Sequence, residues 1–325
     1  MAGRKVKADL ITGFLGAGKT TFIRKYADYL VSGGEKVCIL ENDHGAVNVD
    51  AMLLSDLKSD SLGIEMVAGG CDQDCHIRRF RTKLITIAML GYDRVIIEPS
   101  GIYDVDEFFD VIHEEPLEDR YEISSVIAIV DADLSDIVSK GGEYLLASQV
   151  TQAGVIIFSK TGLYDNSVIN KSVERINTAL ESIKCSRRFT PGEDLLIKDW
   201  SLLNTGDMAK IASASFRETS FEKDFSMDSS GFDSLFFMNV SLKRDRLLEN
   251  IKAMFEDEAL GHVIRVKGFI RTEDGGWEEI NATPNEIRSE PVSAGQDIII
   301  VIGEGIDIKK AESYLPSRYS TDHVR

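Results

Sequence analysis

One short segment near the amino terminus constrains the fold more than any other. Residues 13–20 read GFLGAGKT and match the pattern G-x-x-x-x-G-K-S/T. The segment follows an apolar run at residues 6–14 and precedes a helical pattern over residues 19–34. A loop of this composition between a strand and a helix is a P-loop, in which backbone N–H groups and the helix N-terminus surround a phosphate. We therefore expect the chain to bind a nucleotide.

The P-loop residues have distinct expected roles. The glycines allow the backbone to curl closely around a phosphate. Lys19 is expected to reach the β- and γ-phosphates, Thr20 to bind Mg²⁺ through its hydroxyl, and Thr21 to contact the α-phosphate. A glycine-rich turn that binds nothing is the alternative, but motif and context agree. The expected phosphate-binding residues are Gly13, Gly16, Ala17, Gly18, Lys19, Thr20 and Thr21.

Strand and helix patterns alternate through the first two hundred residues. Predicted strands occupy residues 35–43, 93–101, 123–132 and 153–161. The last two are continuous apolar runs, which are typical of parallel strands covered on both faces. Residues 80–92 have a helical pattern. The alternation predicts an α/β fold, the doubly wound and mostly parallel sheet of a P-loop NTPase.

The pattern changes near residue 212, where a polar, serine-rich stretch begins. We predict a nucleotide-binding domain at residues 1–215, a linker at residues 216–232 and a small α+β domain at residues 233–325. The last domain contains predicted strands at residues 235–240, 262–270 and 297–304, predicted helices at 244–259 and 307–315, and a turn at 273–277.

Composition excludes several classes of function. The chain has 54 acidic and 37 basic residues, a net charge of −17, which argues against binding to nucleic acid or to an anionic membrane. Four cysteines in 325 residues are too few for a disulfide framework and favour a reducing, cytoplasmic location. No apolar run approaches the roughly 18 residues that a membrane-spanning helix needs.

The carboxyl ends of two predicted strands carry acidic residues. Glu98 ends the strand in RVIIEPSG, where a P-loop enzyme places the carboxylate near its Mg²⁺, although an ordinary strand-end glutamate is the alternative. Gly101 lets a backbone N–H approach the γ-phosphate. Residues 41–50, ENDHGAVNVD, are either a switch loop, in which Asp43 completes the Mg²⁺ shell, or a solvated polar loop. Lys19, Asp43 and Glu98 are thus the candidate catalytic residues for hydrolysis of the β–γ bond.

The base should be recognised after a later strand. In many GTPases the motif N-K-x-D does this, because its Lys lies over the purine and its Asp accepts hydrogen bonds from guanine N1–H and N2–H₂. Here the segment reads Ser159-Lys160-Thr161-Gly162, so the Lys is present and the acid is missing. Asp165 is a candidate replacement. GTP is the expected nucleotide, and ATP is left open.

A second cluster follows the switch segment. Cys71, Cys75 and His76 lie within six residues, and two thiolates and an imidazole suit Zn²⁺ or another borderline metal. Further ligands would come from elsewhere in the chain or from a second subunit, which leaves a homodimer open. The alternative is a pair of small buried thiols. An incomplete ligand set suits a protein that passes its metal on.

Together these segments resemble the CobW/HypB/UreG family of P-loop GTPases, in particular its CobW-like branch. The matching segments are TGFLGAGKTT, END-HG…VD, GGC followed by a second Cys, IIEPSG, VDA around Asp131 and SK-T-L, over about residues 8–165. RVKGFI and IIIVIGEGID are similar to the carboxy-terminal domain of that branch.

The resemblance implies binding and slow hydrolysis of GTP with Mg²⁺, coupled to the holding or release of Zn²⁺, Co²⁺ or Ni²⁺ for a client metalloenzyme or cofactor-maturation protein. It assigns phosphate and Mg²⁺ to Lys19 and Thr20, and the metal-sensing switch to Asp43. Cys71 takes the first position of the family's C-x-C-C motif, whereas Asp74 stands in place of its last Cys. A nucleotide-gated activator without a transferred metal is the alternative function, and a small-molecule kinase is a third.

Overall fold

The computed structural model of the chain describes residues 4–43, 54–68, 73–101, 105–135, 137, 139–192, 194–219, 221, 232–240, 242–272 and 274–320. The chain divides into two compact units, Met1–Ser229 and Ser230–Arg325. Each unit has its own sheet and its own apolar core. No helix in the described parts of the chain is long and apolar enough to cross a membrane.

The first unit is built on a parallel sheet of seven strands. They are β1 (Val6–Thr12), β2 (Val37–Asp43), β3 (Leu62–Ala68), β4 (Arg94–Pro99), β5 (Tyr121–Asp131), β6 (Val155–Ser159) and β7 (Leu195–Leu196). Their order is β3-β2-β4-β1-β5-β6-β7, and every neighbouring pair is parallel. The carboxyl ends of all seven strands therefore meet at one edge, where open α/β sheets bind ligands. The predicted α/β class is confirmed.

Helices connect these strands. They are α1 (Lys19–Ser32), α2 (Gln73–Met89), α3 (Val105–Ile112), α4 (Lys140–Thr151), α5 (Asn166–Ser182) and α6 (Thr205–Ala212), with short 3₁₀ helices at Ser55–Leu57 and Trp200–Leu202. The apolar positions Phe22, Ile23 and Tyr26 recur at helical spacing and bury one face of α1 in the core of the sheet. Helix α2 begins at Gln73, before the predicted start at residue 80. Its first two turns are largely polar, so the apolar pattern of the sequence did not indicate them.

A buried ionic network joins the sheet to α1. Arg94 Nη1 lies 2.6 Å from Asp9 Oδ2, and Arg94 Nε lies 2.7 Å from Glu35 Oε2. The hydroxyl of Tyr26 donates a hydrogen bond of 2.7 Å to the same Asp9 oxygen. The Arg94 and Asp9 side chains are 3% and 0% exposed, so both charges are withdrawn from water and depend on each other.

The start of the predicted linker is ordered against the first unit. The N–H of Arg217 donates to Gln152 O after α4 at 3.0 Å, and the ring of Phe216 lies 5.6 Å from that of Phe109. Residues of the range 216–232 therefore begin as part of this unit, which the polar composition of the segment did not indicate. The predicted domain boundaries themselves stay a prediction.

The second unit is an antiparallel sheet with two α-helices in its described part. Its strands are β8 (Phe232–Val240), β9 (His262–Arg271), β10 (Trp277–Thr283), β11 (Glu286–Val292), β12 (Ile298–Glu304) and β13 (Ser317–Ser320), in the order β11-β10-β9-β12-β8-β13. The helices are α7 (Arg244–Glu256) and α8 (Ile308–Tyr314), and a 3₁₀ helix spans Glu258–Leu260. Leu247, Ile251 and Met254 of α7 are buried in the core. The predicted α+β class is confirmed.

Candidate functional site

The P-loop closes between β1 and α1 in a form that only glycine permits. Gly13 has φ 144°, and a Cβ at this position would lie 2.1 Å from the carbonyl oxygen of Ile129. Gly18 has φ 95° and precedes α1 as its N-cap, and no side chain caps the helix there. The first N–H groups of α1 are therefore directed toward the loop without a side-chain acceptor, which is the arrangement that binds a phosphate.

Lys19 is buried beneath this loop. Its Nζ donates a hydrogen bond of 3.0 Å to the carbonyl oxygen of Gly13. The bond holds the ammonium group against the loop, where the motif expects a phosphate. A phosphate oxygen is a stronger, charge-assisted acceptor than a carbonyl. The ammonium group can therefore exchange one partner for the other.

Oxygen donors gather beside the P-loop. The Thr20 hydroxyl donates to Glu98 Oε1 at 3.1 Å, so the first turn of α1 and the end of β4 are in contact. Glu41 of β2 is the register partner of Glu98, and both carboxylates are buried. Hydroxyl and carboxylate oxygens are the ligands that Mg²⁺ prefers. The side chain of Asp43 lies outside the described residues. The residues present fit a Mg²⁺ ion, and Glu41 adds a donor that the sequence did not assign to it.

The loop after β4 lies against the P-loop. A Cβ at Gly101 would be 2.8 Å from the backbone nitrogen of Leu15. Gln149 of α4 fixes this loop, since its Nε2 donates to Gly101 O at 2.9 Å. The close approach places the backbone of Gly101 beside the loop that would hold the phosphates, which suits the role expected of it. Gln149 belongs to no recognisable motif and was not predicted.

The end of β6 reaches the opposite side of the P-loop. Ser159 is buried, and its Cβ lies 3.8 Å from the position that a Cβ on Gly18 would take. Lys160 has φ 55°, an uncommon backbone conformation for a residue with a side chain, and its ammonium pairs with Asp131. Burial raises the pKa of Asp131, while Lys160 acts in the opposite direction. Asp165 is the N-cap of α5, where its Oδ1 accepts from two backbone N–H groups.

The cysteine segment is described in part. Cys71 lies outside the described residues. Cys75 is a half-buried thiol, not part of a disulfide, in the first turn of α2, and it lines a cavity of about 500 Å³. His76 is buried, and its Nε2 lies 2.8 Å from the Oδ1 atom of Asn42 in β2. Within the described parts of the chain, no three His, Cys, Asp or Glu side chains come together as a metal site. The proposed ligand set therefore stays a prediction.

Comparison with known proteins identifies the first unit. Residues 7–190, more than half of the chain, match the family model described as CobW/HypB/UreG, nucleotide-binding domain. The chain belongs to the CobW/HypB/UreG family. It is 30% identical to the zinc chaperone YjiA of Escherichia coli over 184 residues, 53% of this chain and 55% of YjiA.

Two further relatives extend this similarity. The chain is 25% identical over 189 residues to zinc-regulated GTPase metalloprotein activator 1 of Schizosaccharomyces pombe, 55% of this chain and 45% of that protein. It is 27% identical over 190 residues to the zinc chaperone CobW of a Sinorhizobium species, 50% of this chain and 53% of that protein. The chain spans about half the length of the curated relatives it matches.

Two residues of this CobW/HypB/UreG domain, Asn42 and Trp200, were not predicted from the sequence to belong to the site. Asn42 connects the segments that carry the predicted ligands, because its carbonyl oxygen accepts from Ser100 N at 3.0 Å while its side chain meets His76. Trp200 packs edge-on against Phe22 of α1, with ring centroids 5.6 Å apart. The position of Asn42 between two acidic residues at a strand end was a usable signal. No local pattern distinguishes Trp200.

Proposed function

We propose that this protein binds GTP with Mg²⁺ at the P-loop, hydrolyses it, and uses the nucleotide state to hold or release a transition metal for a client protein. Family membership and the names of the relatives, zinc chaperones and a metalloprotein activator, support this and favour Zn²⁺ over Co²⁺ and Ni²⁺. The client would be a metalloenzyme or a protein that matures a metallo-cofactor. Cys38, Cys75 and Cys185 form no disulfide among the described residues, which suits a reducing compartment such as the cytoplasm. A homodimer stays a prediction.

Hydrolysis follows from the residues around the loop. Lys19 and the first N–H groups of α1 bind the β- and γ-phosphates and stabilise the charge that develops as the β–γ bond breaks. Thr20, Glu98 and Asp43 would hold Mg²⁺, which neutralises phosphate charge when bound. The N–H of Gly101 is assigned to the γ-phosphate. Because no general base is assigned, we expect slow turnover in the absence of a client.

The observation that carries the coupling is a short chain of contacts between the two sites. Thr20 contacts Glu98, and Glu98 lies in register with the end of β2. Asn42, the next residue of β2, is hydrogen-bonded both to Ser100 after β4 and to His76 in α2. A rearrangement at the end of β4 on nucleotide binding therefore reaches the first turn of α2, which carries the proposed metal ligands Cys75 and His76.

Calorimetry of Zn²⁺ binding tests this proposal. The zinc affinity of the full chain should differ by about fivefold or more between the GDP state and a non-hydrolysable GTP analogue with Mg²⁺, the range typical of coupled sites. Asn42→Ala should bring this ratio close to one, because it removes the side-chain contact with His76. Asn170→Ala, at an exposed position of α5, is the matched control and should leave the ratio unchanged. Equal zinc affinities in the two nucleotide states of the wild type would rule the coupling out.

A second candidate is a nucleotide-gated activator that transfers no metal. It is favoured by Asp74, an exposed residue that stands where the CobW-like motif has its last Cys. The two functions differ in metal stoichiometry. The metallochaperone should bind about one Zn²⁺ per chain and lose it in the variant carrying Cys71→Ser and Cys75→Ser. A wild-type protein that binds and hydrolyses GTP without binding Zn²⁺, Co²⁺ or Ni²⁺ would support the activator instead.

A further inference from the structure

Asp199, from another part of the fold, lies beside the position of the missing guanine-reading acid. A Cβ on Gly162 would lie 2.5 Å from Asp199 Oδ2 and 3.7 Å from its Cγ. An aspartate at position 162 would hold its own carboxylate oxygens about 2.4 Å from its Cβ, as ordinary C–C and C=O bond lengths require. The Asp199 oxygen therefore lies at the distance from this backbone position at which the N-K-x-D acid would hold its own.

Asp199 is held in place by a local turn. Its Oδ1 accepts from the backbone N–H of Ser201 at 2.8 Å and from the Ser201 hydroxyl at 2.6 Å, and it caps the 3₁₀ helix Trp200–Leu202. These two hydrogen bonds hold the pKa of Asp199 below its ordinary value, and the bond from the Ser201 hydroxyl has the larger effect. An ionised carboxylate has about four acceptor positions, two on each oxygen. Ser201 uses two on Oδ1, so Oδ2 keeps two for a ligand.

The same turn is anchored to the P-loop side of the sheet. The indole N–H of Trp200 donates to Phe158 O in β6 at 2.9 Å. The Trp200 ring lies 3.3 Å from the position of a Cβ on Gly18. Asp199 is therefore placed by contacts with the two segments, P-loop and β6 end, that would hold the phosphates and the base. Asp165, the other candidate, already serves α5 as its N-cap.

We propose that Asp199 recognises guanine, with Oδ2 accepting from N1–H and N2–H₂ of the base in place of an acid at position 162. The inference rests on the proposed function and specifies its nucleotide. Adenine presents an unprotonated N1 and no 2-amino group, so it offers this carboxylate no donor at those positions. A site built on such hydrogen bonds discriminates strongly against a ligand that lacks them.

Replacing Asp199 by Asn tests the assignment through a change of base preference. The amide places an N–H where Oδ2 was, so it repels both N1–H and the 2-amino group of guanine, whereas it can donate to the unprotonated N1 of adenine. In full-length Asp199→Asn, GTP affinity should fall about tenfold or more, and the ATP-to-GTP affinity ratio should rise by at least a similar factor. Asp165→Asn is the control and should change neither value, because Asn is an equally good helix N-cap.

Moving the carboxylate from residue 199 to residue 162 distinguishes guanine recognition by Asp199 from a purely structural role of that residue. Gly162→Asp combined with Asp199→Ala returns the carboxylate to the N-K-x-D position, where φ at residue 162 is not in the left-handed region. This double variant should regain most of the GTP preference over ATP that Asp199→Ala loses. Gly162→Ala alone should weaken GTP binding, because its Cβ takes the space of Asp199 Oδ2.

Failure of the Asp199 inference can be distinguished from failure of the proposed function. Equal affinity of the wild type for GTP and ATP, or an unchanged ATP-to-GTP ratio in Asp199→Asn, overturns the role of Asp199 and leaves the P-loop proposal standing. No binding of any nucleotide by the wild type overturns both. If Asp199→Asn does not fold, as judged by its melting temperature, the double variant decides: failure to regain the preference overturns the inference.

Discussion

Replacing Arg94 by Met should destabilise the first unit strongly. Methionine matches the length of the arginine stem without its charge, so the apolar packing is largely retained. The change removes the guanidinium that lies 2.6 Å from Asp9 Oδ2 and leaves the Tyr26 hydroxyl as the described donor to that oxygen. Glu35, the second acidic partner, is 27% exposed and can be solvated by water. The penalty therefore falls mainly on Asp9, whose side chain is 0% exposed.

Breaking a buried ion pair from one side costs about 3–5 kcal/mol. The loss also depends on pH. Burial raises the pKa of Asp9, although Arg94 acts in the opposite direction. Removing Arg94 must raise this pKa further, and a raised carboxyl pKa gives stability at low pH that is lost as the pH rises toward it. The destabilisation should therefore be smaller at pH 5 than at pH 8.

Tryptophan fluorescence during urea unfolding measures this effect for one unit at a time. The chain has two tryptophans, Trp200 in the first unit and Trp277 in the second, so a Trp277→Phe background reports the first unit alone. With a urea m-value of about 3 kcal/mol per M, the midpoint should fall by about 1–1.7 M. Arg188→Met removes an exposed pair with Glu181 and should cost less than about 1 kcal/mol. A midpoint shift for Arg94→Met as small as for this control would refute the reasoning.

Three further predictions concern the site. Cys75 is half-buried, whereas burial raises the pKa of Cys38 to about 12; mass spectrometry should therefore find Cys75 alkylated well before Cys38 in the folded protein at pH 8, and equal rates would contradict this. Because the hydrogen bonds of Asp199 lower its pKa, its carboxylate stays ionised, and the GTP preference should be constant from pH 8 to pH 5; a loss near pH 6 would argue against it. Gly101→Ala would bring a Cβ within 2.8 Å of Leu15 N and should reduce GTP hydrolysis about tenfold or more, whereas wild-type turnover in a phosphate-release assay would show that the close approach has no catalytic role.

The sequence predicted the parts of the fold that depend on local pattern. Apolar runs predicted β1, β2, β4, β5 and β6, because strands buried on both faces are mostly apolar. It missed β3 and the β10–β11 hairpin. Strand β11 is polar and mostly exposed at the sheet edge, with the burial pattern of an outer strand. A strand of that kind has too few apolar residues to be recognised.

The candidate site also has residues that the sequence predicted and contacts that it did not. The P-loop, Glu98 and Lys160 were found because each lies in a contiguous motif with a required context. The Asn42–His76 and Gly162–Asp199 contacts join residues far apart in sequence, and the sheet order brings them together. No local pattern encodes such a contact, so a glycine in an acid's position looked like a lost function rather than a relocated one.

Calorimetric titration with a non-hydrolysable GTP analogue and Mg²⁺ tests the central claim most directly. About one nucleotide should bind per wild-type chain, with affinity at least about tenfold weaker in Lys19→Ala, because the buried ammonium beside Gly13 is the charge that meets the phosphates. Absence of binding by the wild type, or equal affinity in a folded Lys19→Ala variant, would contradict it.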